Sequence, residues 1–272
     1  MHPTRILAVV LALGACCACR AEPTSITGTV RYHRAFHGRG LADRDLVVWL
    51  PPGYEASPRE RYPVLYMQDG QNIIDPATSA FGVAWGVDKS VDRMIRAGTL
   101  PPLIIVGIYN TKDREDEYMP GPLATTYMDF MVGTLKPFID ATYRTRPGRR
   151  DTMVAGASSG GTIAFMLVWE HPDVFSRAMC MSPAFKIERW DYVSTVLGAP
   201  HPPRDILIYM DLGSVELEAK LEPGVEAMRA ALEKRGYRAG TDFIIVHDPG
   251  ARHHESAWGR RFPGALQLLM AR

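Results

Sequence analysis

Asp151-Thr152-Met153-Val154-Ala155-Gly156-Ala157-Ser158-Ser159-Gly160-Gly161 decides how the rest of the chain is read. Within it, Gly156-Ala157-Ser158-Ser159-Gly160 matches G-x-S-x-G, the sharp strand-to-helix turn that lifts a serine clear of a sheet. So tight a turn leaves room only for glycine beside the serine. The flanks are those the turn requires. Met153-Val154-Ala155 reads as the end of a buried strand. Thr162 to Trp169 is apolar and long enough for a buried helix, stopped before Pro172. The start of that helix directs unpaired N–H groups and a positive dipole end toward Ser158. Ser158 is thereby the candidate nucleophile; an ordinary Gly/Ser turn is the plainer alternative.

Outward from this turn, strands and helices alternate, which predicts an α/β fold with a mostly parallel central sheet covered on both faces. Ile26–Tyr32 and Leu46–Leu50 are the first strands, the second closed by Pro51-Pro52-Gly53; Val64–Met67 and Leu103–Ile108 follow. Between those two, Ala84, Val87, Val91, Met94 and Ile95 share one helical face. Tyr127, Phe130, Met131, Leu135, Phe138 and Ile139 repeat at threes and fours, a helix in spite of Pro137. After the turn come strands at Arg177–Met181, Ile206–Met210 and Phe243–His247. A helix over Val225–Lys234 is stopped by Gly236, and a last one carries Phe262, Leu266 and Leu269 with Pro263 in its first turn. The order is that of a doubly wound hydrolase.

The 272 residues are 46% hydrophobic with a formal net charge of +1, which suits one domain over residues 22–272 and gives no case for a nucleic-acid partner. Residues 1–21 read as a leader, since His2 and Arg5 precede an apolar core, Ile6 to Leu13, too short to span a membrane. Leu13-Gly14-Ala15-Cys16 resembles a bacterial lipobox, so Cys16 is a candidate lipidated anchor. A cleaved secretory signal is the alternative, and either predicts export to the periplasm or beyond. Three of the four cysteines lie in this leader; Cys180 alone is in the body, so no disulfide is available there and a buried strand thiol is expected.

Chemistry in such sheets gathers at the carboxyl ends of strands. Asp69-Gly70-Gln71, after the third strand, can supply one oxyanion N–H, from Gln71 or alternatively Gly70; the Ser159 amide supplies the other. The stretch Met210 to Glu216 offers Asp211 and Glu216 as acids to orient a histidine, and position does not choose between them. Pro249 to Trp258 contains His253-His254, candidates for a general base titrating near neutral pH. The order serine, acid, histidine is that of α/β hydrolases. His-His-Glu could instead bind a metal, but neither H-E-x-x-H nor a cysteine cluster accompanies it.

Taken together these residues resemble the putative-esterase family of α/β hydrolases, which includes enterobactin, feruloyl and acetylxylan esterases, S-formylglutathione hydrolases and mycolyltransferases. Val47-Val48-Trp49-Leu50-Pro51-Pro52-Gly53-Tyr54 is similar to the family's v-x-L-P-x-x-Y, and Tyr66 to Asn72 to its Y-x-x-D-G-Q-N. Trp85 with Asp88, Gly107 to Asn110, Arg114 to Pro120, and Gly156 to Gly161 are further landmarks. The resemblance implies Ser158 as nucleophile. It favours Glu216 as the acid, since Gly213-Ser214-Val215-Glu216 resembles G-T-x-E. It favours His253 as the base, since His253 to Trp258 resembles H-N-E-x-x-W with His254 in place of asparagine.

The implied chemistry is ester hydrolysis through an acyl-enzyme, with no cofactor or metal. Acyl transfer to an alcohol, or an inactive exported binding module, are the rival readings. Substrate contacts are expected from Thr111–Leu123, with Arg114 and Tyr118, and from Ala184–Arg204, with Phe185, Trp190 and Tyr192 as an aromatic wall. The suggested substrates are catecholate siderophore trilactones or feruloylated polysaccharides, the exported single-domain plan inclining toward the former.

Overall fold

The structure, a computed structural model, describes residues 26–271. The leader expected over residues 1–21, Cys16 included, lies outside them. Eight strands form one sheet: β1 (Thr29–Phe36), β2 (Arg44–Leu50), β3 (Val64–Gln68), β4 (Ile104–Ile108), β5 (Thr152–Ala157), β6 (Arg177–Met181), β9 (Leu207–Leu212) and β10 (Phe243–His247). Their spatial order is β1-β2-β4-β3-β5-β6-β9-β10, and β2 alone runs against the others. A two-stranded hairpin, β7 (Lys186–Ile187) with β8 (Trp190–Asp191), stands apart.

Strands β3, β4 and β5 are buried at every residue, which is why they read as continuous apolar runs and not as alternating ones. Alternate side chains still part to opposite faces. Val64, Tyr66, Val154 and Cys180 join one core; Leu65, Met67, Met153 and Met179 join the other. The first is covered by α3 (Pro122–Phe130), α4 (Lys136–Thr142), α5 (Ser159–Glu170), α6 (Tyr192–Gly198) and α7 (Leu217–Lys234). The second is covered by α1 (Val87–Arg96) and α8 (Glu255–Met270). Cys180 is a fully buried strand thiol, as expected. Among the described residues no helix is long and apolar enough to cross a membrane.

Three helices differ from the sequence reading, and each difference involves a proline: in the last, α8, the helix starts at Glu255, so Pro263 lies in its interior and not in its first turn. The helix read over Tyr127–Ile139 is α3 and α4 joined by a π-helical turn, Met131–Leu135. Pro137 cannot donate to the preceding turn and its ring crowds a carbonyl there, and the wider turn accommodates both. Helix α7 begins at Leu217, eight residues before the expected Val225, and runs through Pro223. Gly224 lets it lie against the Lys186 backbone, where a Cβ would stand 2.8 Å from the carbonyl oxygen. The extra turn upstream of Pro223 carries an acid that matters below.

One buried ion pair ties β2 to the short helix α2 (Arg114–Tyr118). Arg44 in β2 donates two hydrogen bonds, of 2.8 and 2.7 Å, to Glu117, and both side chains are fully shielded. Burial alone would lower the Arg44 pKa, but Glu117 holds it above the usual value. Removing one partner strands the other charge. Glu117→Ala is therefore expected to cost about 3–5 kcal/mol of stability, and an apolar replacement of both partners much less. A urea midpoint for Glu117→Ala within error of wild type would refute it.

Candidate active site

Helix α5 starts one residue after the end of β5, and Ser158 is the residue between them. Its backbone is left-handed, φ 58° and ψ −129°, a conformation costly for a residue with a Cβ. Packing holds it there: the Ser158 N–H donates to the Met181 carbonyl at 2.9 Å. A Cβ on Gly156 would lie 2.2 Å from the Gly160 carbonyl oxygen, so the strand end and the helix start touch only because residue 156 is glycine. Ser159 is the first residue of α5, and its N–H has no acceptor within the helix. Its own hydroxyl is turned away, donating to Glu115 at 2.7 Å.

His253 lies in the loop between β10 and α8. Its Nδ1 is 3.1 Å from Oε1 of Glu218, so the ring donates from Nδ1 to an acceptor-only carboxylate and leaves Nε2 without a partner among the described residues. The edge of Trp258 packs at 86° to the imidazole, 4.8 Å between centroids, and fixes its plane. Glu218, in the first turn of α7, is fully buried. Burial pushes its pKa up, but hydrogen bonds from His253, from the Ser182 hydroxyl and from the Gly213 amide (2.9 Å) outweigh it, so the carboxyl is held below its ordinary value. The Ser182 oxygen in turn accepts from Trp258 and Arg261, each at 3.0 Å.

Glu216, the expected acid, is not at His253. It precedes α7 with φ 58°, which throws its side chain into solvent, where its one ion pair is with Arg252 at 3.5 Å. Asp211 is fully buried but faces elsewhere, bonded by Arg261 (2.9 Å), the Tyr209 hydroxyl (3.1 Å) and the Ser182 amide (3.2 Å). His254 is the N-cap of α8, its Nδ1 accepting from the Ser256 N–H at 3.2 Å. Asparagine, usual at that position, is a favoured N-cap, so the substitution keeps the cap and leaves His253 alone against the acid.

Gly70–Asn72 forms a single 3₁₀ turn beyond β3, entered through Asp69 in the left-handed conformation. The Asn72 and Ile73 amides close the turn on the Asp69 and Gly70 carbonyls, with the Gln71 amide upstream of both. The Gln71 side chain accepts from the Asn110 N–H at 3.2 Å. A Cβ on Gly70 would fall 2.4 Å from the Gly107 carbonyl carbon, so the turn is pressed flat against the end of β4.

Ser158, His253 and Gln71 line one cleft of about 310 Å³ at the carboxyl edge of the sheet. Arg114 also reaches it, but its guanidinium grips Asp69 through two bonds of 2.7 Å and Glu115 through a third. Asp69 outweighs the burial that would lower the Arg114 pKa. The guanidinium thus braces the Gln71 turn and is not free for an anionic substrate. Tyr118 is fully buried against Tyr127, and Phe185 and Tyr192 pack on Phe165 in the core. Trp190, half-buried in β8, lies under Arg189 and is not part of the cleft wall. The aromatic expectation fails there because these rings are needed to bury the surface under α6 and the hairpin. The wall instead holds Phe81, 70% exposed and 6.2 Å from the His254 ring, together with Trp85 and Trp258. Glu255, the first residue of α8, closes the floor. It is buried, its Oε2 has no hydrogen-bond partner, and burial raises its pKa.

Comparison with known proteins agrees with this fold. Residues 42–269 match the family described as "Putative esterase". An endo-1,4-beta-xylanase/feruloyl esterase of Xylanibacter ruminicola is 26% identical over 233 residues, 82% of this chain but 28% of its own length. The chain thus spans little more than a quarter of that relative. A ferulic acid esterase structure superposes with a TM-score of 0.71 at 21% identity, over 90% of this chain and 99% of its own. The enterobactin esterase FES of Shigella flexneri gives a TM-score of 0.75 at 17% identity, over 92% of this chain and 60% of its own. The chain belongs to the putative esterase family.

Proposed function

We propose that Ser158, His253 and Glu218 act as a catalytic triad and that the ester cleaved carries a planar aromatic acyl group of the feruloyl type. The observation that carries the first part is the 3.1 Å contact of His253 Nδ1 with buried, ionised Glu218, behind a cleft that also holds the strained Ser158. The Nδ1–H on Glu218 leaves Nε2 unprotonated, able to take the Ser158 proton as Oγ attacks the ester carbonyl carbon. The carbonyl oxygen becomes an oxyanion, for which the Ser159 and Gln71 amides are the donors. Collapse breaks the bond to the alcohol oxygen, which leaves with the proton from His253. Water, deprotonated by the same nitrogen, then releases the acid from Ser158.

The acyl preference rests on Phe81 and the cleft's size. An aromatic ring at the mouth of a cleft can cover a planar acyl group, and apolar area is then buried on both. About 310 Å³ suits one aromatic acid better than a trilactone bearing several catechols. The feruloyl esterase names among the relatives point the same way. The test is kcat/KM for methyl ferulate, a catecholate trilactone and a short acetyl ester, in wild type and Phe81→Ala. Methyl ferulate should be the best of the three, with Phe81→Ala lowering it about tenfold, mostly through KM, and sparing the acetyl ester. An acetyl ester that wins outright, with Phe81→Ala neutral, would sink the aromatic-acyl reading while leaving the triad intact.

A further inference from the structure

A second cleft, of about 640 Å³, opens at the opposite edge of the sheet, where β3, β5 and β6 begin. Five arginines line it: Arg59 and Arg61 from the approach to β3, Arg146 and Arg150 from the approach to β5, and Arg177 as the first residue of β6. These strands are neighbours, so the parallel topology itself gathers the five guanidiniums. The two carboxylates on the wall, Glu60 and Asp151, are already engaged. Glu60 accepts from the Tyr62 hydroxyl at 3.1 Å, and Asp151 meets Arg146 at 3.5 Å. Arg61 donates to the Thr145 carbonyl at 3.2 Å. Arg59, Arg150 and Arg177 make no side-chain hydrogen bond or ion pair among the described residues.

That arrangement departs from the rest of the molecule. Thirty acidic residues stand against thirty-one basic ones in the sequence, and elsewhere several guanidiniums sit directly on carboxylates. Arg34 meets Asp45, Arg114 meets Asp69 and Arg261 meets Asp211, all within 3 Å. Here like charges are held together instead. Arg177 is half-buried, and its burial lowers its pKa; nearby Asp151 works against that and Arg150 adds to it, leaving the value below the usual one. Grouped cations cost self-repulsion, which a bound anion would relieve. Planar guanidiniums from three directions suit tetrahedral oxyanion groups, which each can grip through two N–H donors. A phosphoryl group carries more charge than a carboxylate, and the volume exceeds that of a single phosphate.

We propose that this cleft is a binding site for a small multiply phosphorylated anion, separate from the ester-cleaving site and independent of how that site works. Titration calorimetry with sodium tripolyphosphate at low salt should show one site per chain, weakened as salt is raised. Arg150→Gln with Arg177→Gln should weaken binding at least about tenfold, by loss of two charge-assisted contacts. Arg59→Gln with Arg61→Gln, both on an exposed loop where folding is not at stake, should weaken it in the same direction. Ester hydrolysis should be unchanged in both double variants, which reports that they are folded. Absence of tripolyphosphate binding would overturn the proposal, as would equal binding by wild type and both double variants. Co-sedimentation with phosphatidylglycerol vesicles without tripolyphosphate binding would overturn it in favour of a lipid surface.

Discussion

Ser158→Ala is expected to abolish labelling by a fluorophosphonate probe and to lower kcat by about 10³-fold or more, with little change in KM. The constrained backbone at Ser158 holds its hydroxyl at the cleft, and alanine at φ 58° leaves that backbone and the Met181 contact in place. The variant should therefore fold and bind ester as before. Ser159→Ala is the matched control. It keeps the amide and loses only a hydroxyl that points to Glu115, so most activity should remain. Equal loss in the two variants, with folding intact, would mean that the turn is not where the nucleophile sits.

The sheet was legible because burial on both faces leaves a plain mark: five- or six-residue apolar runs at Val64, Ile104 and Thr152, each bounded by Gly, Pro or charge. The strand–turn–helix around Ser158 was legible because its glycines are there for steric reasons that hold in any such turn. His253 was readable from its place after the last strand.

What the sequence concealed was which side chains turn inward. Glu216 and Glu218 differ by two residues and one backbone angle, and no pattern of apolar positions reports a left-handed φ at Glu216. A reading that stops α7 at Pro223-Gly224 also removes the turn that carries Glu218. One signal was available, since an acid in the first turn of a helix entering from a strand end is favoured by the helix dipole. The aromatics failed for a related reason. Tyr118, Phe185 and Tyr192 sit in charged or irregular stretches, yet they fill the space between helices, whereas Phe81 lies in a Gly/Ser/Thr loop with no periodicity to flag it. The pairing of Arg114 with Asp69 spans 45 residues and leaves no local trace, so the sequence alone offers Arg114 as a substrate contact.

The second large effect is expected at Glu218. Glu218→Gln should lower kcat by about 10²- to 10⁴-fold while the protein stays folded, because an amide can no longer hold the Nδ1–H tautomer or offset the imidazolium that forms on Nε2. Glutamine is nearly isosteric, and the Gly213 amide and the Ser182 hydroxyl can still donate to its carbonyl oxygen. The loss would thus report charge and tautomer and not a collapsed cavity. Glu216→Gln, by contrast, removes one exposed ion pair with Arg252, worth well under about 1 kcal/mol, and should leave kcat nearly as it was. Asp211→Asn would leave Arg261 short of its buried partner, so its cost should appear in the thermal midpoint before it appears in kcat measured on the folded fraction. The comparison is the three kcat values at saturating ester beside three melting curves. If Glu216→Gln were the inactive variant and Glu218→Gln retained wild-type kcat, the carboxylate seen against His253 would not be the one that works with it.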